Sequence, residues 1–85
     1  MNKFIEYDIH NGLTLLKCAV MNILCSLESR EIIRFEFNPY ISPLYIKRCM
    51  QDSGWENVKD SIWATPNGDE FLYLEQEFKI RRYAS

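Results

Sequence analysis

At the start of the chain, apolar residues recur at every second position. In KFIEYDI, residues 3–9, Ile5, Tyr7 and Ile9 fall on one side and Phe4, Glu6 and Asp8 on the other, which predicts a strand. Asn11-Gly12 then suits a tight turn. From Leu13 the period changes: Leu13, Leu16, Val20, Ile23, Leu24 and Leu27 recur at helical spacing, so a helix is expected from about 13 to 28. Its polar side, Thr14, Lys17, Asn22, Ser26 and Glu28, is thin, which suits a helix lying across a sheet as the centre of the core.

REIIRFEF, residues 30–37, reads as a second strand, with Ile33, Phe35 and Phe37 on one face and Ile32, Arg34 and Glu36 on the other. NPYISP interrupts it, because two prolines deny ladder hydrogen bonds and fix φ. Ser42-Pro43 is a helix start and Gly54 a helix stop, so a second helix is expected over 43–53. Beyond it, Trp55, Val58, Ile62 and Trp63 fit helical spacing as well as two short strands. The turn-like KDS between WENV and IWAT favours the strands, and these join a long last strand over 70–81 in a three-stranded meander. The expected fold is one α+β domain over 1–85, β-α-β-α-β-β-β, with two helices on one face of a mainly antiparallel sheet.

The last hairpin decides which surface is free. If Asn67-Gly68 form a two-residue turn, Ala64 lies opposite Phe71, Trp63 opposite Leu72 and Ile62 opposite Tyr73. Trp63, Leu72, Leu74, Phe78 and Ile80 then share a face that is apolar throughout and is expected to be core. The other face carries Ile62, Phe71 and Tyr73 near the turn, and it becomes charged further along. That arrangement predicts an exposed aromatic patch flanked by Asp69, Glu70, Glu75 and Glu77, the composition of a protein-binding surface. Tyr40 and Tyr45, on the Pro-bounded loop and the first turn of the second helix, are further candidates. A three-residue loop with a bulge would instead shift the register by one residue and exchange the two faces.

Composition narrows the function. With 85 residues, 47% hydrophobic and 14% aromatic, the chain is globular, with room for one modest core. A net charge of -2 gives no global attraction to nucleic acid or an anionic membrane. LTLLKCAVMNILCSL is too short and too interrupted to span a bilayer, and Glu6 and Asp8 stand where a secretory signal would be apolar, so a cytoplasmic protein is expected. Cys18, Cys25 and Cys49 include no CxxC pair, which points to reduced core residues. His10 is the only histidine, and although Asp8 would share its side of a strand, nothing nearby would tune it as a catalyst. The acids of 69–77 lack the close oxygen ligands of a calcium loop, and three glycines make no phosphate loop. No catalytic residue, metal or cofactor is therefore expected.

Over roughly residues 43–75, a helix followed by SGWENV, a turn, IWATPNGDEF and a third strand resembles the core of the small RNA-cleaving HicA-type toxins. That family's catalytic histidine would fall in the second strand, where this chain has SIWAT, so the resemblance implies no catalytic residue here. The reading that remains is a non-enzymatic interaction protein of the inhibitor, immunity or adaptor kind. It would block a surface of a larger partner, one with a basic and nucleic-acid-acting surface being a natural match to the acids. An unpaired edge strand leaves self-association open. The alternative is a nucleic-acid-binding or RNA-processing module built on Lys79, Arg81, Arg82 and Tyr83.

Overall fold

In the computed structural model, which describes residues 2–83 and the side chains of residues 15–83, the chain opens with a single long helix, α1 (Asn2–Glu28). The strand predicted over 3–9 is thus helical. Ile5, Ile9 and Leu13 lie four apart, so the alternating pattern also holds a helical one, and it runs in phase into Leu16 and Val20. Helix propagation adds one bond per residue fixed, which carries α1 through Asn11-Gly12 with no turn there. At its other end Arg30 takes φ 66°, its N–H bonding Leu27 O and that of Glu31 bonding Ser26 O. These two bonds satisfy the last carbonyls of the helix in a Schellman arrangement.

The remaining elements are β1 (Arg34–Glu36), α2 (Pro43–Asp52), β2 (Glu56–Lys59), β3 (Ile62–Ala64), β4 (Glu70–Leu74) and β5 (Lys79–Arg82). Proline at its first position and Gly54 past its end bound α2 where the sequence placed them. Gly54 has φ 87°, its N–H bonds Gln51 O, and Trp55 N–H reaches back to Met50 O. Ser42 occupies the N-cap position, though its hydroxyl makes no capping bond.

The strands pair antiparallel in the order β1-β5-β4-β3-β2. The molecule is therefore an α+β fold of two helices and a five-stranded antiparallel sheet, in the order α-β-α-β-β-β-β. The fifth strand arises because the long strand predicted over 70–81 breaks. Glu75–Glu77 make one turn of 3₁₀ helix, Phe78 takes φ 56°, and β5 folds back between β4 and β1. Nothing in LEQEFK signals a turn, since its left-handed position is filled by Phe instead of Gly or Asn.

The hairpin of β3 and β4 takes the bulged alternative. Thr65 N–H bonds Asp69 O and Gly68 N–H bonds Thr65 O, giving a three-residue loop, Pro66 to Gly68, with Gly68 at φ 88°. Trp63 consequently pairs with Phe71 and Ile62 with Leu72, one residue away from the two-residue register. That slip sends Phe71 and Tyr73 inward. With Val20, Leu24 and Leu27 of α1, Ile46, Cys49 and Met50 of α2, and Phe37, Trp55, Trp63 and Ile80, they form one buried cluster. Both helices thus cover the same face. Phe71 is fully buried, its ring stacked 5.1 Å from Trp55 and the Arg82 guanidinium 4.8 Å from its centroid.

Candidate functional site

With both helices on one side, the other face of the sheet carries no helix among the described residues. Its side chains follow from the register. Ile62, Leu72, Arg81 and Arg34 form one cross-strand row, Ala64 and Glu70 lie on one side of it, and Leu74, Lys79 and Glu36 on the other. Ile62, Ala64, Leu72 and Leu74 are half-buried, and on the outer strand β2 the residues opposite Ile62 and Ala64 are Lys59 and Glu56, with the 55% exposed Val58 at a bulge between Asn57 and Lys59. An apolar strip thus runs across two strands, β3 and β4, and meets a charged corner at β5 and β1. A shallow depression of ≈ 630 Å³ lies at that corner, between Leu74, Lys79, Arg81, Arg34 and Glu36.

The expected site residues do not converge on this face. Phe71 and Tyr73, expected as exposed anchors, are 0% and 2% exposed and belong to the core, because the bulged loop exchanged the faces. Leu72 and Leu74, expected as core, stand on the open face. Of the expected anchors only Ile62 is there, with Glu70 beside it. The remaining acids form ion pairs within the chain. Asp69 binds Arg30 at 3.2 Å and Arg82 at 3.4 Å, Glu75 binds Lys47 of α2, and Glu77 binds Lys79 at 3.7 Å. Tyr40 is 95% exposed on the loop before α2, and Tyr45 is half-buried on α2, its hydroxyl pKa raised chiefly by burial.

The basic cluster divides in the same way. Arg82 turns inward, bonding Leu27 O and Asp69, whereas Arg81 and Arg34 face out and have no acidic partner among the described residues. Arg34 and Arg81 stand directly opposite each other. The bonds between β1 and β5 flank that pair, with Arg82 N–H bonding Ile33 O and Phe37 N–H bonding Phe78 O, so the two arginines occupy a non-hydrogen-bonded position, where side chains come closest. Like charges placed so are destabilising, and a ligand carboxylate or phosphate would relieve them.

The cysteines are not the uniform core set the sequence suggested. Cys49 is buried and its thiol pKa is raised by burial, but Cys18 and Cys25 are exposed. They lie about half a turn round α1 from Val20, Leu24 and Leu27, the stripe that docks. Asp8 and His10 lie in α1 at positions outside the described side chains. Among the described residues, no group of three or more His, Cys, Asp or Glu could hold a metal ion, and no helix is long and apolar enough to cross a membrane. Residues 43–75 hold α2, β2, β3 and β4 in that order. Comparison with protein families, curated proteins and solved structures finds no match to the chain.

Proposed function

We propose that the chain is a small, non-catalytic binding module of the cytoplasm that engages a larger protein through the helix-free face of its sheet. The observation carrying this reading is the apolar strip Ile62, Leu72 and Leu74, which among the described residues has no covering layer and is bordered by Arg81 and Arg34, neither with an acidic partner there. An apolar centre with a charged rim is the anatomy of a recognition surface. Because Asp69, Glu75 and Glu77 already serve internal ion pairs, the matching partner surface is apolar with carboxylates at its edge, instead of the basic one the acids first suggested.

The nucleic-acid reading keeps some support. Lys79 and Arg81 face the open side, and Tyr83, 39% exposed, continues their alternation. With Arg34 that makes three cations on this face, a small electrostatic footprint on a chain of net charge -2, however. The test is affinity capture from the native source with wild-type protein and Leu72→Glu, each with and without nuclease. The proposal expects a discrete protein retained by the wild type in both conditions and lost by Leu72→Glu at an unchanged thermal midpoint. Nuclease-sensitive capture would assign the face to nucleic acid, and capture untouched by Leu72→Glu would reject it as the binding surface.

A further inference from the structure

We infer that the β1 edge pairs with the β1 edge of a second copy of this chain, in one antiparallel register, to form a two-fold dimer with a continuous sheet. This goes beyond the open-face reading and does not depend on it. Strand β1 ends the sheet, and among the described residues its strand partner is β5 alone. Ile33 and Phe37 spend main-chain groups on β5, so by alternation the N–H and C=O of Arg34 and Glu36 point outward from the edge. An edge of this kind is a template for another strand.

Two-fold antiparallel pairing through those outward groups allows three registers. Centred on Arg34 it sets arginine against arginine, and centred on Glu36 it sets glutamate against glutamate. Centred on Phe35 it sets Arg34 against Glu36 of the second copy and Glu36 against Arg34, so that four main-chain hydrogen bonds and two ion pairs form together. Only this register is self-complementary, as a two-fold interface must be. It also brings a carboxylate to Arg34, which faces Arg81 and has no acidic partner among the described residues. On the helix side of the strand, the half-buried Phe35 would meet its copy, and Ile33, 62% exposed, would lie opposite Phe37. A three-residue strand buries little area, so association should be weak, with a dissociation constant on the order of 10⁻⁴ M.

Sedimentation equilibrium up to about 1 mM, at low and high salt, tests this. The wild type should dimerise with a salt-sensitive constant near that value. Arg34→Glu alone and Glu36→Arg alone each place like charges across the interface twice and should weaken it at least tenfold. An equimolar mixture of the two variants restores both ion pairs and should form heterodimers about as strong as the wild-type dimer. Glu36→Pro, which removes an outward N–H without touching a bond to β5, should also be monomeric. A wild type that stays monomeric at 1 mM would overturn the inference. So would a dimer that Arg34→Glu leaves intact, or well-folded single variants that fail to associate on mixing.

Discussion

Tyr73 carries its hydroxyl into the core, where it finds no hydrogen-bond partner among the described residues, while its ring packs edge-on to Phe37 at 6.1 Å. Burial, with Glu75 nearby, raises its pKa from 10.0 to about 12. The native state therefore holds the phenolic proton more tightly than the unfolded chain. The stability this contributes is fully present below pH 10 and is lost between there and about 12. Tyr73→Phe removes an unpartnered buried hydroxyl, so it should leave stability unchanged or raise it by about 1 kcal/mol, and it should flatten the alkaline loss. Chemical denaturation of both proteins at pH 8 and pH 11 measures the two effects. Phe71 is the contrasting case, an apolar ring between Trp55 and the Arg82 guanidinium. Phe71→Ala should cost about 3–5 kcal/mol by the same assay, whereas Leu72→Ala, one residue along on the open face, should cost clearly less. If the two losses came out equal, the faces would be assigned wrongly.

Element by element, what could be read from the sequence follows the strength of local signals. α2 was fully legible, because proline at its start and glycine at its end each meet a backbone requirement. Gly54→Ala should destabilise by about 1–2 kcal/mol, since φ 87° is costly for a residue with a Cβ and that atom would also sit 3.2 Å from Pro66 Cγ. The thermal midpoint reads this, and an unchanged value would mean the helix ends otherwise. β3 and β4 were legible as strands, but their faces were not. Asn67-Gly68 suits a two-residue or a three-residue loop, and a single residue of slip decides whether Phe71 or Leu72 is core. The turn after Leu74 was invisible, because Leu72, Leu74, Phe78 and Ile80 keep the strand alternation through it. Beside its own closing bond from Phe78 N–H to Glu75 O, it has two tertiary ties that the sequence does not announce: the Lys47–Glu75 pair and the bond from Phe37 N–H to Phe78 O. For the first third of the chain, alternation and helical spacing coincide at Ile5 and Ile9, and only the longer run into Leu16 and Val20 separates them.

At the scale of the whole molecule, the two helices and the sheet of the described residues leave one face of the sheet without a second layer. The candidate site was only partly legible because it depends on which ladder lies beneath the helices. Ile62 was foreseen, Leu72 and Leu74 were placed in the core, and the pairing of Arg34 with Arg81 exists only once β5 folds between β4 and β1. The central claim is that this helix-free face does the binding. Its most direct test places a photoreactive residue at Leu72, with Gln51 on the exposed side of α2 as the control position, and irradiates each protein with nuclease-treated extract of its native source. The account predicts one discrete protein adduct from position 72, displaced by excess wild-type protein, and none from position 51. Adducts from position 51 but not from position 72 would contradict it.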